Sequence, residues 1–155
     1  MCRRLNKFLR LSLREKWFLA EAFILLGAGR LAVLLFPFSV IKKRVEKDIG
    51  SSVRPKYISD SETVRLVKWS VQCMSRYTPW KSKCFAQAIA AQRMLRKRGI
   101  TSTMHFGVDK DSEGGLVAHA WLKCGVLVVT GNQGMKRFKE VVYIGNNVGN
   151  DINLL

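Results

Sequence analysis

The chain has few cysteines, few prolines and few acidic residues. Its four cysteines are scattered and form no CxxC pair, which argues against a structural zinc site, and nothing in the sequence calls for a cofactor. No uncharged stretch reaches the ~18–20 residues of a membrane-spanning helix, and no small-residue cleavage site follows the basic N-terminus. These absences predict a cytoplasmic protein whose thiols stay free.

The charge balance is strongly one-sided. The chain has 27 Lys and Arg against 11 Asp and Glu, a formal net charge of +16. The positive electrostatic potential of such a chain favours an acidic partner: nucleic acid, an anionic membrane or an acidic protein. Aromatic residues do not interleave with the basic ones as base-stacking platforms would, which argues against nucleic acid. A composition 48% hydrophobic excludes a disordered chain.

The first part of the sequence reads as an apolar helical hairpin over residues 1–48, followed by a catalytic domain over residues 56–155. One helix is predicted from about residue 5 to Gly27, and a second starts near Ala28 and is kinked or ended by Pro37.

Within this segment, Phe18–Ile41 is rich in large apolar side chains but is interrupted by Glu21 and Arg30. We expect it to cover the catalytic domain or a partner protein. Membrane contact would then be peripheral at most, through basic flanking residues: Arg3, Arg4, Lys7, Lys42, Lys43 and Arg44.

Two further helices and four strands are predicted after this hairpin. Apolar residues recur with helical spacing over residues 61–75 and 84–98, and Gly99 ends the second helix. After Gly99 apolar residues recur at every second position, as in strands. The order of helices followed by strands predicts an α+β fold with an antiparallel sheet. The predicted strands cover residues 101–108, 117–123, 126–129 and 141–144, and the turn 109–115 makes the first two a hairpin.

Cys84 stands at the start of the second of these helices. A thiolate there meets unpaired backbone N–H groups and the positive end of the helix dipole, and Lys81 and Lys83 add positive charge. The same N–H groups suit the oxyanion that forms when a carbonyl is attacked. A small buried residue at a helix start is the structural alternative.

His119 lies in an otherwise apolar predicted strand, 35 residues after Cys84. A helix-borne cysteine followed by a strand-borne histidine is the order of papain-like and transglutaminase-like sites, which favours His119 as the base over a core histidine. His105, on the preceding strand, is the competing base.

A third group is needed to orient the imidazole through its other nitrogen. Asn132 follows the next predicted strand and is the candidate, with a turn residue beside Gly131 as the alternative. The predicted catalytic set is Cys84, His119 and Asn132.

Two motifs resemble lasso peptide biosynthesis B2 proteins. The first motif opens with Trp80, followed by the basic residue Lys83 and then Cys84, and it is similar to that family's nucleophile helix. The second motif, His119-Ala-Trp121, is similar to the hairpin that follows this helix in the family. The resemblance also includes the apolar start of the chain, so it covers nearly the whole sequence.

This resemblance implies a leader peptidase of transglutaminase-like fold with a Cys-His-Asp triad. It cuts the leader from a ribosomally made precursor, together with a separate B1-type leader-recognition protein and a lasso cyclase. Where the family commonly has Asp, this chain has Gly131-Asn132.

Two other functions fit the sequence. A transglutaminase-like acyltransferase or amidase would use the same thiol with a different acceptor, because acyl-enzyme chemistry is shared until the second nucleophile arrives. A non-catalytic, basic nucleic-acid- or membrane-binding adaptor is the alternative from another class.

Overall fold

The structure, a computed structural model, describes residues 11–37, 39–41, 43, 61–79, 84–133 and 135–145. In these ranges helices precede a four-stranded sheet, which confirms the α+β class. The elements are α1 (Leu13–Leu35), α2 (Ser61–Tyr77), α3 (Cys84–Lys97), β1 (Thr103–Lys110), β2 (Leu116–Cys124), β3 (Leu127–Thr130), a 3₁₀ turn (Met135–Arg137) and β4 (Lys139–Gly145). From residue 61 onward, every observed end lies within two residues of its prediction.

Helix α1 has local signals at both ends. The Ser12 hydroxyl accepts from the Glu15 backbone N–H, and the Glu15 carboxylate accepts from the Ser12 N–H, which makes a capping box. At the other end Phe36 is extended, the conformation favoured before Pro37. The predicted start near residue 5 is therefore wrong, because Ser12 caps the helix; residues 5–10 lie outside the described residues.

The predicted break between Gly27 and Ala28 is also wrong, since α1 runs through both without interruption. The segment stays helical despite its two glycines because Gly29 lies where α1 packs closely on α3. A Cβ there would stand 3.2 Å from the Ala86 carbonyl oxygen of α3, so glycine allows the two helices to approach closely. Packing thus overrides the low helix propensity of glycine. The connection that we predicted between hairpin and domain lies outside the described residues.

The core lies between the three helices and one face of the sheet. The sheet order is β3-β2-β1-β4 with antiparallel neighbours. Side chains from both layers form a single buried cluster, in which the helices contribute Phe18, Ala22, Leu26, Val64, Val67, Val71, Ala88, Ile89, Ala91, Met94 and Leu95, and the strands contribute Met104, Leu122, Cys124, Val129 and Ile144.

Helix α1 buries one side and exposes the other. Phe18, Ala22 and Leu26 enter the core, as expected for a segment that covers the domain. Much of the rest of the helix surface is apolar and exposed: Leu13, Trp17, Phe23, Ile24, Leu31, Leu34 and Leu35. By length and hydropathy this 23-residue helix could cross a membrane, and only 28% of its most apolar part is buried. Core helices and signal sequences meet the same criteria, so length and hydropathy alone assign no location.

An ion pair fastens α1 to the end of α3. Glu21 accepts from Arg98 at 2.5 Å and lies 3.3 Å from Lys97. The Arg98 guanidinium also lies over the Phe18 ring, 4.0 Å from its centroid. Both partners of the Glu21–Arg98 pair are largely buried, so breaking the pair would leave an uncompensated charge.

We predict that Glu21→Gln lowers the free energy of unfolding by about 2 kcal/mol, because Arg98 would lose its charged partner. The matched control is Glu62→Gln, since Glu62 pairs with Arg14 in an exposed position and should contribute at most ~0.5 kcal/mol. Urea unfolding followed by circular dichroism measures both. Equal losses in the two variants would contradict this role of the pair.

Candidate active site

Cys84 is the first residue of α3 and is partly exposed. The thiol is therefore next to the positive end of the α3 helix dipole. The following side chain, Phe85, contacts Phe106 of β1 edge-on at 5.5 Å between ring centroids. This contact holds the start of the helix against the sheet. Lys81 and Lys83, expected to add charge, lie outside the described residues.

His119 lies on β2, and its Nε2 is 2.8 Å from the Gly131 carbonyl oxygen. A carbonyl oxygen only accepts, so Nε2 donates and carries the proton. In the neutral ring Nδ1 then holds the lone pair, which makes it the nitrogen able to take a proton from a thiol.

Aromatic side chains fix the plane of this imidazole. The His119 ring stacks on Phe138 at 4.9 Å and on Trp121 at 6.0 Å, with interplanar angles of 25° and 26°. Gly107 is opposite His119 on β1, and a Cβ there would stand 2.9 Å from both Phe138 and Trp121. Glycine therefore makes room for the aromatic rings that hold the histidine.

The structure brings the helix of Cys84 onto the strand of His119, because α3 packs on β2 and β3. Side chains alternate along β2: Leu122 enters the helix-facing core, whereas His119 and Trp121 point to the other side. The His119 ring reaches beyond the end of β3, since Gly131 follows the last residue of that strand. Among the residues that the structure describes, no hydrogen bond joins Cys84 to His119.

His105, the competing base, lies on the same side of the sheet as His119 and already has a carboxylate partner. Its Nδ1 is 2.9 Å from Glu140 Oε1, and its ring is parallel to Trp121 at 5.6 Å. This hydrogen bond joins β1 to β4, and it leaves Nε2 of His105 as the other ring nitrogen.

Asn132 is exposed just after β3, and its backbone carbonyl accepts from the Met135 N–H at 3.4 Å. Within the described ranges no hydrogen bond joins its side chain to His119; the carbonyl of the preceding residue, Gly131, occupies Nε2. The orienting role of Asn132 therefore stays a prediction. Sequence reasoning missed the Gly131 carbonyl because a backbone acceptor has no side-chain signature.

The other two described cysteines are poor nucleophile candidates. Burial raises the pKa of the Cys73 thiol by more than nearby Arg76 lowers it. Burial also raises the pKa of Cys124, whose thiol donates to the Thr101 carbonyl at 3.2 Å. A raised thiol pKa means less thiolate at neutral pH. The part of the chain that the structure describes contains no cluster of three or more metal-binding side chains.

Comparison with known proteins gives one match. The model of the family described as the transglutaminase-like superfamily matches residues 32–143, more than half of the chain. This range begins within α1 and includes α2, α3, Cys84 and His119. Neither the curated proteins nor the solved structures give a match.

We predict that iodoacetamide at neutral pH labels Cys84 before Cys73 and Cys124, because burial suppresses the thiolates of the other two. A Cys2→Ser background removes the fourth cysteine, and peptide mass spectrometry of timed samples gives the rate at each site. Faster labelling of Cys73 or Cys124 would contradict the assignment.

Proposed function

The chain belongs to the transglutaminase-like superfamily, and from this membership and the placement of Cys84 and His119 we propose that it is a cysteine peptidase. We propose further that its substrate is a lasso peptide precursor, whose leader it removes. Two observations support the proposal. Cys84 lies at the start of α3, which packs on the strand of His119, and the Nε2 of His119 is bonded to the Gly131 carbonyl, which leaves Nδ1 as the basic nitrogen.

The reaction follows from these two side chains. The thiol proton passes to His119 Nδ1, and the Cys84 sulfur attacks the carbonyl carbon at the leader junction. The positive end of the α3 helix dipole stabilises the resulting oxyanion. His119 then gives its proton to the departing amine, which becomes the new N-terminus of the core peptide. Water, deprotonated by His119, cleaves the thioester and releases the leader as a carboxylate.

This sequence of steps requires the Cys84 sulfur to come within hydrogen-bond reach of His119 Nδ1. In unliganded enzymes such contacts are often long and tighten only when substrate is bound. We propose that the precursor, presented by a B1-type recognition protein, brings the start of α3 and the His119 ring together. The amine released by cleavage is then the substrate of a lasso cyclase.

The acyltransferase alternative uses the same thioester and differs only in the acceptor. An amine in place of water would leave the leader as an amide. The resemblance of the Trp80–Cys84 and His119–Trp121 motifs to lasso peptide B2 proteins favours hydrolysis.

We predict that Cys84→Ala and His119→Ala each lower cleavage of the precursor by at least about a thousandfold, because each removes a group that acts in the transition state. His105→Ala should stay within roughly tenfold of the unchanged protein, since only one imidazole can lie against the thiol. Cys73→Ala is the control for loss of a thiol. The assay is mass spectrometry of precursor with the recognition protein; hydrolysis adds water to the leader and transfer adds an amine.

Two results would contradict this assignment. Full cleavage by Cys84→Ala would exclude the thiol mechanism, and a greater loss in His105→Ala than in His119→Ala would make His105 the base.

We also propose that the exposed side of α1 rests reversibly on an anionic membrane surface. That side exposes Leu13, Ile24, Leu31, Leu34 and Leu35 to solvent, whereas Glu21 is turned to Arg98 in the interior. A second copy of the chain carries the same charge of +16 and would be repelled, whereas anionic lipid headgroups attract it. Localisation would then be cytoplasmic, at the membrane face.

We predict that the full chain floats with vesicles that contain anionic lipid, does so less with neutral vesicles, and is released by high salt or carbonate. Paired Ile24→Glu and Leu31→Glu changes on the exposed side should lower binding, whereas Leu116→Glu, at a still more exposed apolar site on β2, should not. Retention after the carbonate wash would mean an integral segment, and binding unaffected by the paired change would place the contact elsewhere.

A further inference from the structure

We infer that the third member of the catalytic set is the backbone carbonyl of Gly131, acting as a positioning group where the related family commonly uses a side-chain carboxylate. The inference rests on the proposed function, because it concerns how His119 is kept ready to take the thiol proton. The inference assigns the orientation of His119 to the Gly131 carbonyl oxygen, a backbone atom that side-chain substitution does not remove.

The hydrogen bond defines the tautomer. With Nε2 donating to the Gly131 carbonyl at 2.8 Å, the neutral His119 ring is held with its proton on Nε2 and its lone pair on Nδ1. The opposite tautomer would place two lone pairs against each other at this distance. A ring in that tautomer would have no free nitrogen with which to accept the Cys84 proton.

Only glycine can present its carbonyl in this way. Gly131 has φ +75°, which side chains disfavour, and a Cβ would lie 2.5 Å from the Ala120 carbonyl oxygen and 2.7 Å from the Trp121 Cβ. Both contacts are with the strand that carries His119. Any side chain at position 131 would therefore push the loop away from β2 and carry the carbonyl away from Nε2.

A neutral carbonyl orients the imidazole as a carboxylate does, but it supplies less stabilisation to the imidazolium. Asn132, the residue that the sequence proposes for this role, is exposed and makes no described hydrogen bond to the ring. The position of the oxygen, and not the identity of a polar side chain, then determines which nitrogen acts as the base.

The direct test is the tautomeric state of His119 in the intact chain, expressed without a histidine tag. The protein has only two histidines, so long-range ¹H–¹⁵N correlation spectra of the rings contain two sets of signals. At mildly alkaline pH, where histidine rings are ordinarily neutral, His119 should show the Nε2–H pattern. His105 should show the opposite, Nδ1–H pattern because its Nδ1 faces the Glu140 carboxylate, and His105→Gln assigns the signals.

Three variants connect the tautomer to catalysis. Gly131→Ala should move the His119 signals toward the average of the two tautomers and lower kcat about a hundredfold or more, with little change in KM. Gly114→Ala is the control, since Gly114 also has a positive φ, +82°, but nothing lies within 4 Å of its added Cβ. Asn132→Ala should leave the His119 tautomer unchanged and lower kcat much less than Gly131→Ala does.

An Nδ1–H or averaged pattern for His119 in the unchanged protein would overturn the inference, and this result does not depend on whether Gly131→Ala folds. If Asn132→Ala loses the Nε2–H pattern of His119 and its kcat falls as far as that of Gly131→Ala, the positioning role belongs to the Asn132 side chain. If His119 shows the Nε2–H pattern but the chain cleaves no precursor, the peptidase proposal fails and the tautomer assignment stands.

Discussion

The close packing of α3 is the constraint on which the rest of the structure depends. Buried residues occur on nearly every side of this helix, and many are alanines: Ala86, Ala88, Ala90 and Ala91. Their small side chains let α1 approach at Gly29 while β2 and β3 pack on another side. A larger residue at these positions would need the helices to separate, at a cost of typically 1–3 kcal/mol. Because α3 packs against α1, α2 and the sheet, the position of its first residue, Cys84, relative to the sheet is fixed.

The imidazole is held by a different set of forces. His119 combines a hydrogen bond to a backbone carbonyl with stacking on Phe138 and Trp121, so the carbonyl sets its tautomer and the two aromatic rings set its plane. The acidic Glu140 pairs with the other histidine, and Glu21 with Arg98. Two histidines on one face thus have different partners: a backbone carbonyl for His119 and a carboxylate for His105.

The sequence predicts most of the fold because its local signals agree with its packing. The positions of the strands and the starts of the helices at Ser61 and Cys84 are predictable from local pattern, and Ser12 and Glu15 have the spacing of a capping box. The division of α1 failed because Gly29 serves a contact with Ala86, 57 positions along the chain, that no local pattern reveals. The site was predictable in its helix–strand order. The hydrogen-bond partner of His119 could not be predicted in this way. The position of the Gly131 carbonyl depends on the register between β2 and β3, and a backbone carbonyl is not marked by any particular residue type.

The most direct test of the central claim is whether the leader becomes attached to Cys84. The protein is mixed with precursor and recognition protein, quenched in acid within seconds and analysed by intact-protein mass spectrometry. A thioester adds the mass of the leader less one water, maps to the peptide that begins α3 and is released by hydroxylamine as the leader hydroxamate. We predict this adduct in the unchanged protein and its absence in Cys84→Ala. Cleavage that proceeds with no adduct on Cys84, or with an adduct on another residue, would contradict the account.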